Sequence, residues 1–369
     1  MHSFDFQPTT HVVFGEEALS NLGHLAKTLG AHFALVVTDP GIARVGILEK
    51  AVHSLEQESI SVAVFEDVEE NPTTRHVANG ARFAKDFGQL DFIVALGGGS
   101  AMDCAKGINF IHTNGGEMED YWGMDKATKP MLPSIGIPTT AGTGSEAQSF
   151  ALIAQENSHV KMACGDKKAR FRTVILDPVL PVSAPEEVKA SSGIDAISHA
   201  VESLVTTRRN PVSELFSREA WRLLEASFEV TITEPANLEA QSRMLLGAHF
   251  AGIAIENSML GAAHACANPL TSKFGITHGV AVGLMLPHVI DFNSKIVGEH
   301  YRELFPSSLS ERICKLKTTA QLPSMLRDFE IDEGDLPELA KEAANQWTGQ
   351  FNPRPVGETE LLQLYESAY

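Results

Sequence analysis

The strongest constraint on this chain is an alternation confined to its first half. Short β-branched and apolar runs recur there: FALVVTD at 33–39, SVAVFEDV at 61–68, DFIVALGGGS at 91–100, SIGIPTT at 134–140 and TVILDP at 173–178, with amphipathic stretches between them. Runs this apolar belong to strands covered on both faces, and the intervening helices supply the cover. The pattern therefore predicts a wound, parallel α/β sheet. From about Ser183 the periodicity turns helical and stays so to the C-terminus. The change falls at LPVSAPEE, where Pro181 and Pro185 punctuate the chain and Ser183 or Ala184 precedes a new helix. We expect an α/β domain over residues 1–184 and an all-α domain over residues 185–369.

Composition narrows the partners. The 369 residues are 43% hydrophobic, enough for one large core or two ordinary ones. Lys and Arg total 29 against 47 Asp and Glu, a formal charge of −18, so no basic footprint for nucleic acid or an anionic membrane is expected. The opening MHSFDFQPTT has neither the basic region nor the apolar core of a secretory signal. The uncharged run from Phe274 to Ile290 carries two histidines, a proline and three glycines and falls short of a spanning helix. Cys104, Cys164, Cys266 and Cys314 are far apart, with no CxxC, which argues against a disulfide framework or a zinc knuckle and for a reducing, cytoplasmic compartment.

Two loops could hold an anionic cofactor. LGGGSAMDCAKGIN (96–109) follows a strand and opens a helix, so its glycines let backbone N–H groups approach a phosphate at the helix N-terminus. A tight strand-to-helix turn has the same sequence signature. PTTAGTGSEAQSF (138–150) also follows a strand and is dense in Gly, Thr and Ser, and two such loops converge where doubly wound sheets bind nucleotides. Asp39 ends the first clear strand. It could accept hydrogen bonds from an adenosine ribose and repel a 2′-phosphate, or simply start the turn at Pro40 and Gly41.

The helical half carries the sharper signal. In SSGIDAISHAVESLV the apolar stripe is Ile194, Ile197, Val201 and Leu204, while Asp195 and His199 stand i,i+4 on an adjacent face where they can grip one cation. Glu202 at the next step fits a solvated face, yet Gly193, Ala196 and Ala200 suit close packing. The segment 245–268 holds one charge, Glu256, and as a single helix would be buried nearly all round. On it Asn257, Gly261, His264 and Asn268 would form one narrow polar stripe, which must find partners because each unpaired buried group costs ~1–3 kcal/mol. Together with His278, fourteen residues on, the donors Asp195, His199 and His264 suit a borderline divalent cation such as Fe(II) or Zn(II), not Ca or Mg. A metal acting on substrate would also need an open coordination position.

These residues resemble the iron-dependent, group III alcohol dehydrogenases of the dehydroquinate synthase-like fold. The likeness runs along essentially the whole chain: VVFG (12–15), NPT (71–73), GGGSAMDCAK, PTTAGTGSE, GIDAISHAVES, HGVAVGLMLPHV and the closing NPRPVGETELLQLYESAY. The resemblance implies a Rossmann-like NAD(P)-binding domain, a helical metal-binding domain and a substrate cleft between them. It places the metal on Asp195, His199, His264 and His278. It places the pyrophosphate at Gly97, Gly98, Gly99 and Ser100, with Asp103 and Lys106 following. Other cofactor contacts implied are Asn71, Thr139, Thr140, Thr143, Ser145 and Phe150, with Lys161 near the nicotinamide ribose and Asp39 at the position associated with NAD rather than NADP.

Two positions depart from the family pattern. Many members carry a proton-relaying histidine where this chain has Asn268, and asparagine can hydrogen-bond but cannot titrate. Ile255 sits where aromatic residues commonly face substrate. The activity implied is reversible hydride transfer between NAD(H) and a small primary alcohol or aldehyde, assisted by Fe(II) or alternatively Zn(II), in a homodimer. One alternative is a reductase of an oxo acid or a phosphonate- or sulfonate-bearing aldehyde, similar to maleylacetate reductase, for which Lys273 is the nearest cation in sequence. Others are a dehydroquinate synthase-type lyase and a cofactor-binding protein without catalysis.

Overall fold

The computed structural model describes residues 4–158 and 160–369. They form two compact units, one made of residues 8–140 and 145–184, the other of residues 4–7, 141–144 and 185–369.

The first unit runs β1 (His11–Phe14), α1 (Leu22–Thr28), β2 (Phe33–Val37), α2 (Pro40–Arg44), α3 (Ile47–Gln57), β3 (Ser61–Phe65), α4 (Thr74–Asp86), β4 (Phe92–Gly97), α5 (Gly99–Asn114), β5 (Gly123–Met124), β6 (Ser134–Pro138), β7 (Phe150–Ala154), β8 (Lys161–Gly165) and β9 (Thr173–Leu176). All five apolar runs read from the sequence are strands of one sheet ordered β1-β9-β6-β4-β2-β3, parallel throughout. Every residue of β4 is buried, as a central strand covered on both faces requires. The core joins Val36, Val94, Leu96, Ile135, Ile137 and Ile175 to Leu22, Ala26 and Leu55 of the covering helices.

Strand order sets where a ligand can sit. From β2 the chain steps outward to β3, then returns to place β4 on the other side of β2, so winding reverses between β2 and β4. A crevice opens at that reversal, outside the carboxyl ends of the strands. The residues there are Asp39 and the glycines 97–99. A second, three-stranded sheet, β5-β8-β7, pairs β7 and β8 antiparallel and lies outside what the sequence signalled, because its strands border a Gly/Ser-rich loop that masks them.

The second unit contains α6 (Glu186–Val205), α7 (Pro211–Thr233), α8 (Leu238–Ser258), α9 (Ala262–Phe274), α10 (His278–Leu304), α11 (Leu309–Thr319), α12 (Leu336–Ala344) and α13 (Glu358–Ala368). No strand occurs among its described residues. Residues 141–144 belong with these helices, and Gly144, at φ +61°, approaches α8 so closely that a Cβ would lie 2.6 Å from Gly252 Cα.

One expectation fails here. The apolar segment 245–268 is two helices, not one: α8 stops at Ser258, Met259 takes φ +84°, and α9 starts after Gly261. Asn257 and Gly261 therefore share no continuous polar stripe with His264. Asn257 instead turns back on α8, its Nδ2 donating to Ile253 O at 2.8 Å, while its carbonyl accepts from Asn210 Nδ2 at 2.7 Å. The uncharged run around His278 extends into a helix of 27 residues, long and apolar enough by length and composition to cross a membrane. It serves as a core element, packing on α6 and α9.

Candidate functional site

Within the α/β unit, the two glycine-containing loops are built for close approach. Gly97 ends β4 at φ +152°, where a Cβ would stand 2.8 Å from Ala101 Cβ and 3.2 Å from Asp39 Oδ2. Only glycine lets the strand turn into α5 at that distance. Gly98 caps α5, Gly99 and Ser100 occupy its first turn, and Thr140 lies beside Gly98. Sixteen residues of aligned peptide dipoles thus end at an uncapped N-terminus suited to a phosphate. Asp39 starts the turn at Pro40 and Gly41, one of the two roles its sequence offered. Its Oδ1 caps α2 by accepting from Gly41 N at 2.8 Å and Ile42 N at 3.1 Å, while Oδ2 faces Gly97 across the switch point.

Other residues implied in cofactor binding form a buried polar knot. Ser145 Oγ donates to Asp103 Oδ1, and Lys106 Nζ donates to Ser145 O and Phe150 O, both at 2.7 Å, and to Ser145 Oγ at 3.2 Å. Burial pushes the Asp103 carboxyl up, against the pull of Lys106, the Ser145 hydrogen bond and Lys161. These contacts brace α5 against β7. Thr139 is held by its own N–H to Gly97 O at 3.0 Å, and Asn71 takes φ +54° at the start of the NPT turn. Lys161 opens β8 opposite Ala154, and Thr143 lies in the segment grouped with the helices.

In the helical unit, α6 projects Asp195 and His199 inward, and both are buried. Asp195 Oδ1 stands 3.3 Å from His199 Nε2 and 3.5 Å from His264 Nε2, and the two imidazoles stack with centroids 4.9 Å apart. The three donor atoms lie within 4.8 Å of one another. Neither Asp195 Oδ1 nor His264 Nε2 has a hydrogen-bond partner, although both are shut away from solvent. Ligands about 2.1 Å from a common centre stand about 3.4 Å apart at tetrahedral angles, so these three atoms have the spacing of a coordination shell. The residues fit a divalent, nitrogen-accepting cation. The ring of His278, the first residue of α10, is 5.4 Å from that of His264. Gly279 brings that helix in: a Cβ there would fall 2.0 Å from Ser191 O and 3.3 Å from Asp195 Cβ.

Glu202 is the residue whose place the sequence left open. It is 3% exposed, not on a solvated face. Its Oε2 lies 2.6 Å from His264 Nδ1, and its Oε1 accepts from Ala263 N at 2.7 Å. The signal was available, since Asp195, His199 and Glu202 stand at i, i+4, i+7 on one helical face. Electrostatics divide the two rings. Burial pulls His199 down to about 4, whereas the neighbouring carboxylates of Asp195 and Glu202 overcome the same burial and hold His264 up at about 9. Burial opposes ionisation of Asp195 as well, but His199, His264 and His278 together keep its carboxyl well below the usual range.

Asn268 lies one turn beyond His264 on α9, half-buried, its Nδ2 donating to Gln346 Oε1 at 2.9 Å. Lys273 has both approaches taken, by Glu338 at 2.9 Å and Glu342 at 2.8 Å.

Comparison with known proteins agrees with this architecture from end to end. Residues 8–178 match the model for iron-containing alcohol dehydrogenases, and residues 189–369 match that for the C-terminal part of the same family. An alcohol dehydrogenase 4 of Schizosaccharomyces pombe is 35% identical over 96% of this chain and 87% of its own length. A crystal structure of 1,3-propanediol oxidoreductase superposes with a TM-score of 0.96 at 32% identity, covering all of both chains. Sulfoacetaldehyde reductase of Bifidobacterium kashiwanohense, solved with NAD+, gives 0.91 at 26% identity over the whole of each chain. The parallel sheet with its glycine turn, the helical half with its buried carboxylate and imidazoles, and matches spanning both place this chain in the iron-containing alcohol dehydrogenase family, among the oxidoreductases.

Proposed function

We propose that this protein interconverts a small primary alcohol and its aldehyde with NAD(H), using a divalent metal, Fe(II) or alternatively Zn(II), held by Asp195, His199, His264 and His278. The observation that carries this reading is the buried Asp195 Oδ1 and His264 Nε2, 3.5 Å apart and each without a partner. In this reading residues 1–184 carry the cofactor loops and residues 185–369 the metal. When bound, the metal polarises the aldehyde oxygen or acidifies the alcohol, and the nicotinamide carries the hydride. The glycine turn at 97–99 and Ser100 receive the pyrophosphate. Asp39 accepts from the ribose hydroxyls and disfavours a 2′-phosphate, which selects NAD. Asn71, Thr139, Thr140, Thr143 and Lys161 line the cofactor, while Asp103, Ser145 and Phe150 hold the loops in register.

A neutral substrate is favoured over an anionic one because Lys273 is already committed to two carboxylates. The family assignment to oxidoreductases removes support from the lyase alternative. We further propose a cytoplasmic homodimer. Among the described residues the edge strand β1 pairs with β9 alone and exposes Val12 and Phe14, which leaves its outer edge available to a second copy. All four cysteines are free thiols, as a reducing compartment keeps them.

The decisive assay is anaerobic NADH oxidation with a panel of short aldehydes, comparing chelator-stripped protein with the same protein after Fe(II) or Zn(II) addition. Activity is expected only with metal restored; equal turnover in stripped protein would reject the metal site. Asn268 makes a separate prediction. The wild-type pH–rate profile should lack a limb near pH ~6.5, and Asn268→His should introduce one. An unchanged profile in that variant would remove position 268 from the proton route.

A further inference from the structure

We infer that Glu202 is the positioning residue of the metal site, fixing His264 through its Nδ1 and supplying the second buried negative charge that balances a divalent cation. This rests on the metal-site reading above and adds a residue outside the four ligands. The argument begins with the break between α8 and α9. A new helix start must satisfy its first N–H groups, and Gly261 provides no side chain to do so. Two remote acceptors take that role: Asn352 Oδ1 receives Ala262 N at 3.3 Å, and Glu202 Oε1 receives Ala263 N at 2.7 Å. A Cβ on Gly261 would lie 2.9 Å from the Glu202 oxygen and 3.0 Å from that of Asn352, so glycine is what admits both.

Capping uses only one carboxylate oxygen of Glu202. The other, Oε2, is 2.6 Å from His264 Nδ1. A carboxylate accepts and does not donate, so His264 must carry its proton on Nδ1 when neutral, which leaves the Nε2 lone pair directed at Asp195 and the stacked His199 ring. The contact therefore selects the tautomer that can ligate and holds the ring plane. It also completes the charge. With the rings neutral, Asp195 and Glu202 contribute two negative charges, which one divalent cation cancels; either carboxylate alone would leave a buried excess of positive charge. Asn352, braced by Asn293 through contacts at 3.0 and 2.8 Å, supports the helix start but touches neither ring.

Isosteric Glu202→Gln separates these roles. The amide oxygen still caps Ala263, while the amide group facing His264 donates where the wild type accepts and so favours the tautomer that cannot ligate. Co(II) affinity, measured by chelator competition and read from the visible d–d band, should fall ~10–100-fold, with the melting temperature of the metal-free protein unchanged within a few degrees. Affinity within twofold of wild type would overturn the inference. So would an affinity loss accompanied by a collapse of metal-free stability, because that is the mark of a structural cap. If the Gln variant does not fold, Glu202→Asp decides, since it keeps the charge but withdraws the carboxylate by one methylene. A tenfold loss with unchanged metal-free melting supports the inference, and wild-type affinity or a matching stability loss defeats it. A wild type that binds no Co(II) would overturn the metal-site reading itself, and this inference with it.

Discussion

His264→Ala is expected to abolish metal-dependent turnover and to weaken the metal-free fold at the same time. Loss of the ring removes one of three donor atoms that lie within 4.8 Å of one another, and with it the stacking partner of His199. It also strips Glu202 of the cationic partner at 2.6 Å that accounts for its burial. A buried carboxylate left without its partner costs ~3–5 kcal/mol, whereas in Glu202→Gln a neutral His264 ring still accepts a hydrogen bond from the neutral amide. A double variant, His264→Ala with Glu202→Gln, should recover part of that stability while remaining unable to bind metal. The measurements are metal content of the purified proteins, NADH oxidation, and chemical denaturation of chelator-treated samples. Retained metal with near-normal turnover in His264→Ala would remove this residue from the site, and no recovery in the double variant would refute the charge argument.

The second large effect is predicted at a residue with no side chain. Gly279→Ala would place a methyl group 2.0 Å from Ser191 O and 3.3 Å from Asp195 Cβ. The nearer obstacle is backbone in the middle of α6, so no rotamer change relieves it and α10 must move away. Overpacking of this kind costs ~1–3 kcal/mol, and the upper end applies here. Because His278 is the neighbouring residue, the same shift carries its ring away from Asp195, and metal affinity should fall along with stability. Gly283→Ala, one turn later on the same face, is the control. There the added methyl meets side chains alone, Ile194 at 3.3 Å and Lys317 at 4.0 Å, which can give way. If Gly279→Ala melts and binds Co(II) like Gly283→Ala, the close crossing of α6 and α10 does not position the site.

Much of this was legible in residue order, for identifiable reasons. A strand buried on both faces leaves an unbroken apolar run, and the five runs from Phe33 to Leu176 all became neighbours in one sheet. Asp195 and His199 declare themselves because α6 is regular and i,i+4 spacing survives any packing. The α8–α9 break was invisible because both sides of it are apolar. The residue that turns the chain, Met259 at φ +84°, is not one that composition marks as a breaker. Glu202 left a solvated face open in the sequence because charge usually means exposure; what decides for burial is His264, 62 residues away, and no local pattern contains it. Asp39 shows a different limit. One oxygen caps a helix and the other faces the glycine turn, so the capping role leaves the proposed cofactor role open.

The brace at the start of α9 reaches to the far end of the polypeptide. Asn352 caps Ala262, and Tyr365, four residues from the C-terminus, donates to Cys266 O at 2.6 Å inside the same helix. Domains emerging from the ribosome fold in order of synthesis, yet the helix bearing His264 takes these partners from 90 and 99 residues further along the chain. A chain cut before residue 352 would keep Asp195, His199, His264 and His278 but lose both of these contacts.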